Sequence, residues 1–348
     1  MEVRLSPEQV ALRDSAAQVV DRLGPATVAQ LDDVERAGKL DAAVTAAGWR
    51  ELRTPTEGGD PWASAVEVAV IAEELGRGLA DTSFFGPTLA ADLRRRAGAP
   101  LATESETIAL GQDLVGLAEG DDDADRAIDV HGARSALLIV AGDGGRRLAA
   151  MVLGPETTGA DLTRRVAQRL EGASVAAVEG QTRPVDDDDM ARWQSLGLAV
   201  LCADLVGTMR GALDLATEYA KERKQYGAAI GSFQAVQHML ADAHVATEGS
   251  RSIALYAAWA VDALTADEAL AACSVAKAYC ARAARSVCET SIQVHGGIGN
   301  TWECLAHVYL RRALFSTEVL GGIGDNLQRV LAARGVGGDS AGGERGLR

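Results

Sequence analysis

From Val10 onward, apolar residues return every three or four positions: Val10, Leu12, Ala16, Ala17, Val19, Val20 and Leu23 form one stripe, as an amphipathic helix requires. Ser6 ahead of Pro7 supplies an N-cap and a first-turn proline. Further helical runs cover 40–47, stopped by Gly48, and 63–75, stopped by Gly76, with a Pro/Gly-rich loop at 54–61 between them. The period then changes. Short apolar runs at 136–140 and 148–153 flank Asp143-Gly144-Gly145, a hairpin signal, and predict a small antiparallel β domain. Its acidic stretches, Asp121-Asp122-Asp123 and 186–189, read as solvated loops. From Met190 the helical period resumes, over 196–221, 232–264, 266–294, 306–320 and about 323–334. Gly207 and Gly211 share one face of the first of these helices and would let a neighbouring helix approach closely. The pattern predicts a mainly α chain with a small middle β domain. Its parts are helices over 1–100, β structure over 101–192, a helical bundle over 193–335 and a flexible tail over 336–348.

Composition narrows the functions open to such a chain. With 348 residues and 47% apolar content it can bury a sizeable core. A formal charge of −15 argues against nucleic acid and against anionic lipid as partners. No charge-free apolar run reaches about 18 residues, and the start lacks a basic flank followed by an apolar stretch, so neither a membrane span nor a signal peptide is expected. The five cysteines form no Cys-x-x-Cys pair, which points to reduced thiols in a cytoplasmic core and to no metal site.

Two segments carry candidate chemistry: 222–238, with Arg223, Gln225, Tyr226, Phe233 and Gln234, and 293–303, with Gln293, Gly296, Gly297 and Gly299. Arg223 offers a planar, permanently charged fork suited to a pyrophosphate. Tyr226 can cover an apolar ring face, and Gln234 and Gln293 present both donor and acceptor to a base or ribose. Glycines at 296, 297 and 299 clear space for backbone N–H groups to approach phosphate. Each feature alone is also compatible with a helix cap or an ordinary turn.

Together these segments resemble the two flavin-binding signatures of the acyl-CoA dehydrogenase family. The opening Leu5-Ser6-Pro7-Glu8-Gln9, Gly48-Trp49 and Glu73-Glu74-Leu75-Gly76-Arg77 are also similar to family elements. The resemblance implies an N-terminal helical domain, a β-barrel-like middle domain and a C-terminal four-helix bundle. It also implies FAD as cofactor and an acyl-CoA substrate oxidised to the 2,3-enoyl-CoA. In such proteins the residues matching Arg223, Gln225, Tyr226, Gln234, Gln293, Gly296 and Gly297 reach across a dimer interface to the adenosine half of FAD.

Two family elements are missing. The segments that hold the flavin ring in the middle domain, Thr-Glu-Pro with Ala-Gly-Ser and Trp-Ile-Thr, have no match; the nearest are Leu117-Ala118-Glu119-Gly120-Asp121 and Trp193. The family's catalytic glutamate occupies one of two positions, which fall here at Gly197 and Leu320. Asp204 and Glu318 are poor substitutes; a two-residue slip in the alignment would be needed to bring in Glu318. The chain therefore resembles the glutamate-lacking subunit of actinobacterial α2β2 acyl-CoA dehydrogenases, which are associated with steroid degradation. Such a subunit would share FAD with a glutamate-bearing partner, and a degenerate second site would leave room for a bulky acyl group. A self-sufficient flavoenzyme with altered chemistry and a flavin-free acyl-CoA-binding scaffold remain as alternatives.

Overall fold

The computed structural model describes residues 4–120, 126–142 and 144–336. The Asp121–Asp123 acidic stretch, Asp143 of the hairpin and the tail from 337 lie outside them. Four helices come first: α1 (Pro7–Leu23), α2 (Val34–Ala46), α3 (Ala65–Arg77) and α4 (Phe85–Ala97). Ser6 and Gln9 close a reciprocal capping box on α1, each side chain accepting from the other's backbone N–H, with Pro7 at the first helical position. Gly48 follows α2 with φ +66°, a left-handed conformation in which a Cβ is strained. Gly76 does not stop α3; the helix runs on to Arg77 and is capped at Gly78. What Gly76 provides is proximity, since a Cβ there would overlap the carbonyl oxygen of Asp204.

The middle of the chain forms β1 (Glu106–Leu110), β2 (Arg126–Ile128), β3 (Ser135–Gly142), β4 (Gly145–Thr158), β5 (Arg165–Arg169) and β6 (Ala176–Ala177). The sheet order is β3-β1-β2-β5-β4-β6, and β3 also pairs with β4, so the first five strands close on themselves. Closure is possible because β4 bends: its first half pairs with β3 and its second with β5, across a register shift between Leu153 and Glu156. The β3–β4 hairpin forms where the Gly-rich signal lies, with Gly142 opposite Gly145. The expected antiparallel sheet is corrected where β1 and β3 pair in parallel. Alternation decides the two faces. Ala136 and Leu138 of β3 join a small, alanine-rich barrel interior with Ala109, Ala127 and Ala149, while Leu137 and Ile139 turn to the main helical core.

α5 (Asp187–Glu222) then crosses the whole molecule, and Trp193 near its start donates its indole N–H to the Leu89 carbonyl at 3.0 Å. The acidic run 186–189 is not a loop but the helix start: Asp186 caps α5, and Asp189 is buried against Arg183 at 2.7 Å. Carboxylates are favoured there by the unpaired N–H groups and positive end of the helix. A short hairpin, β7 (Lys224–Gln225) and β8 (Ala228–Ala229), leads into α6 (Gln234–Ala263). α7 (Ala266–His295), α8 (Ala306–Glu318) and α9 (Ile323–Ala333) complete the chain. α5 is long and apolar enough to cross a membrane by length and composition, but 89% of its apolar window is buried inside the protein, as a core helix requires. Two of the α5 glycines meet α3: a Cβ at Gly207 would overlap the carbonyl oxygen of Glu73, and one at Gly211 that of Arg77. All five cysteines are buried and unpaired.

Candidate functional site

Three helix ends converge at one end of the bundle. Ala216 and Ala220 of α5 and Val294 of α7 form a small apolar cluster with Ile230 and Val236 around the start of α6. Tyr219 stacks on His295 with ring centroids 4.5 Å apart, and Ser291 donates to the Ala212 carbonyl at 2.8 Å. The residues predicted to hold the adenosine side of a dinucleotide lie at the ends of these same elements. Arg223 ends α5, Gln225 lies in the β7–β8 hairpin, Gln234 opens α6, and Gln293, Gly296 and Gly297 end α7. Tyr226 stands at the hairpin tip with φ +51° and is 96% exposed, its ring edge-on to that of Phe233 with centroids 6.4 Å apart.

The chain itself satisfies Gln225, whose amide donates to the Lys224 carbonyl at 2.9 Å, but not Arg223, Gln234 or Gln293. Among the described residues, the side chains of Arg223, Gln234 and Gln293 have no hydrogen-bond partner in the chain and are exposed. A guanidinium and two amides, all unpartnered and gathered at one end, fit the phosphate and adenosine of FAD. Gly296 departs from the expected role. Its N–H is taken by the carbonyls of Ile292 and Gln293 as the α7 cap, and it sits at the negative end of that helix. Its φ of +68° explains the glycine. At Gly297 nothing lies within 4 Å of where a Cβ would be, so that stretch of backbone is open to approach.

The second site is where the resemblance places the family's base. Gly197 on α5 and Leu320 in the α8–α9 turn, 123 positions apart in sequence, are in contact in space. A Cβ on Gly197 would overlap Leu320 Cδ1 and lie 3.2 Å from Leu89 Cδ1. Both positions are buried and apolar, so no proton acceptor exists at either. The enlarged space expected from a degenerate site is not found there. Beyond it, the cavity bounded by Leu75, Phe85, Val200, Asp204, Arg164 and Arg312 holds only about 20 Å³.

Neither substitute carboxylate serves. Asp204 Oδ1 accepts from Arg312 Nε at 3.0 Å and Nη2 at 2.6 Å; Oδ2 accepts from Ser316 Oγ at 2.8 Å and pairs with Arg164 Nη2 at 2.9 Å. Burial alone would raise its pKa, but the two guanidiniums outweigh it and pull it down to about 2. Such a carboxylate is too weak a base and has no free lone pair facing a substrate. Glu318 ends α8 on the outside, where it lines an open groove of about 620 Å³ with Arg311, Phe315, Trp302 and His307. It does not enter the space between Gly197 and Leu320.

Sequence reasoning missed Lys277. Its ammonium is completely buried and donates to the carbonyls of Thr317 at 3.0 Å, Val319 at 2.7 Å and Gly321 at 3.1 Å. Burial is the largest influence and pushes its pKa down to about 8. A single lysine among Cys273, Ala276, Cys280 and Ala281 on the apolar face of a helix was the available signal.

A closed five-stranded barrel between two helical layers, with this bundle end, is the acyl-CoA dehydrogenase fold. Residues 197–336 match the family model described as acyl-CoA dehydrogenase, C-terminal domain, and that part of the chain belongs to the acyl-CoA dehydrogenase family. It is 28% identical over 340 residues to acyl-CoA dehydrogenase IpdE2 of Mycolicibacterium smegmatis, covering 94% of this chain and 99% of that one. The solved ChsE4-ChsE5 complex from Mycobacterium tuberculosis has a similar chain, with TM-score 0.79 and 24% identity, covering 96% of this chain and 99% of that one. A variant of the steroid ACAD Tcur3481-Tcur3483 gives TM-score 0.78 and 24% identity, with 94% and 98% covered.

Proposed function

We propose that this chain is the base-lacking subunit of an FAD-dependent acyl-CoA dehydrogenase, acting in the cytoplasm with a second subunit that carries the catalytic glutamate. The observation that carries the reading is a contrast between two sites in one chain. Where the family places its base, Gly197 and Leu320 are sealed together without an acid. Where the family binds adenosine, Arg223, Gln234 and Gln293 stand exposed and unpartnered. The chain supplies those groups to FAD whose flavin ring and base belong to the partner. The names of the ChsE4-ChsE5 complex and the steroid ACAD support a heteromeric assembly and a bulky acyl-CoA substrate.

FAD titration onto the co-purified complex tests this. Arg223→Ala removes a charge-assisted contact of about 1.5–3 kcal/mol, so FAD affinity falls roughly tenfold to a hundredfold. An unchanged affinity refutes the cross-subunit assignment. Native complex should hold one FAD per pair of unlike chains. A second reading, a flavoenzyme complete in itself, draws on the groove beside Phe315, Trp302 and Glu318. It requires FAD on the isolated chain, or one FAD per chain in the complex, by flavin absorbance with light scattering. A chain that holds no FAD with or without a partner would instead be a scaffold.

A further inference from the structure

We propose that Leu320 is a plug closing this chain's own acyl position, held in place by Lys277, so that a complex takes up acyl-CoA at the partner's site alone. The inference rests on the subunit reading above for the word partner, and on this chain's own geometry for the plug. A dead site can be left open; this one is filled. The side chain of Leu320 occupies the space that any side chain at 197 would need, and Leu89 closes it from α4. Leu320 has no exposed surface.

The backbone of Leu320 is left-handed, with φ +58°, a conformation that a leucine keeps only when its surroundings enforce it. The surroundings do so from four sides. Lys277 of α7 binds the carbonyls of Thr317, Val319 and Gly321. Arg329 of α9 donates to the Leu320 carbonyl at 2.9 Å and, through its other terminal nitrogen, to the Val115 carbonyl at 3.0 Å. Asn326 donates to the carbonyls of Gly321 and Gly322 at 2.8 and 2.9 Å. The Gly321 N–H reaches back to the Leu114 carbonyl at 3.2 Å.

Lys277 is the costly member. Its ammonium is buried without a carboxylate bonded to it, where desolvation strongly disfavours charge. The titratable and charged groups facing it are Cys202 of α5, Cys280 of its own helix, Glu318 of α8 and Arg329 of α9. A methionine or leucine would fill the same space at lower cost if packing alone were required. What the ammonium adds is three donors aimed at one turn, the turn that carries the plug. Further along the same face of α5 the cavity of about 20 Å³ admits one water and no acyl chain.

The test uses the full chain alone and co-purified with its partner. The first probe is benzene. Leu320→Ala should take it up beside Gly197, seen as a rise in melting temperature with benzene that the native chain lacks. The second probe is S-octyl-CoA, a thioether that cannot be dehydrogenated. The native complex should bind one per FAD. The third is amide hydrogen exchange. Lys277→Met should speed exchange at 319–322 at least tenfold while the rest of α7 stays within twofold. In the native chain, protection of those amides, corrected for intrinsic rates, should rise with pH through about 8, because the closed turn gives up the lysine proton there while the opened, hydrated ammonium keeps it. That rise should be absent in Lys277→Met; an opening that leaves Lys277 buried would give no such pH dependence. If Lys277→Met does not fold, the native pH profile and Leu320→Ala still decide. Benzene uptake by the native chain, no uptake by Leu320→Ala, two thioethers per FAD, or exchange independent of pH would each overturn the proposal. A chain that recruits neither partner nor FAD defeats the subunit reading, while the benzene and exchange results still judge the plug.

Discussion

Replacing Asp204 by asparagine separates structure from chemistry at a buried carboxylate near the position where the resemblance places the family's base. In the native chain its two oxygens serve Arg312, Arg164 and Ser316, and Asp161 gives Arg164 a second carboxylate at 3.1 Å. Two guanidiniums thus pair directly with two carboxylates, and Asp129 faces Arg164 from the same cavity. Asp204→Asn leaves Arg312 without its ion-pair partner, which costs about 3–5 kcal/mol. The pH dependence gives an independent measure. A folded pKa of about 2 against an ordinary 3.8 means the ionised form is favoured by folding. That contribution is present above the ordinary value, is lost as pH falls through about 2, and amounts to about 2 kcal/mol. Denaturant unfolding of the native chain and the variant at pH 7, 4 and 2.5 should therefore show a gap that is full at pH 7 and narrows toward pH 2.5. Turnover per bound FAD in the folded complex should be unchanged, because a carboxylate locked between two arginines takes no proton from substrate. A variant as stable as the native chain whose turnover falls a thousandfold would show that Asp204 is the base and that the ion cluster reasoning is wrong.

The isolated chain should show no dye reduction or flavin bleaching with short, medium or steroid-type CoA esters, since neither Gly197 nor Leu320 accepts a proton; turnover at the usual rates of the family would refute this. Gly207→Ala should destabilise the fold by about 1–3 kcal/mol, because the added methyl meets the Glu73 carbonyl, a backbone atom that cannot rotate away; thermal unfolding indistinguishable from native would mean that α3 and α5 have slack.

Much of the fold is legible along the chain because its elements announce themselves locally. Ser6-Pro7 with Gln9 starts α1 where the capping pattern says, and the Gly-rich turn joins β3 to β4. α6 and α7 fall within a residue or two of their apolar stripes. Local signals misled where a partner across the fold decided the outcome. Gly76 looks like a helix stop in sequence and is instead a contact point for α5, and the acids at 186–189 look solvated yet begin α5 and bury Asp189 on Arg183. The parallel pairing of β1 with β3 has no local signature, since it depends on how the barrel closes.

The sequence by itself determined which chemistry is missing and which is kept. No acid stands at 197 or 320, while arginine and amides remain at 223, 234 and 293, because residue identity needs no fold to be read. It could not say that Gly197 and Leu320 touch, that the vacated place is packed shut, or that a lone lysine from α7 holds the turn that packs it. Nor could it tell that Asp204 is consumed by two arginines, one from the barrel and one from α8. Those facts depend on distances between residues far apart in the chain, and only the packing of α5 against α7, α8 and the barrel sets them.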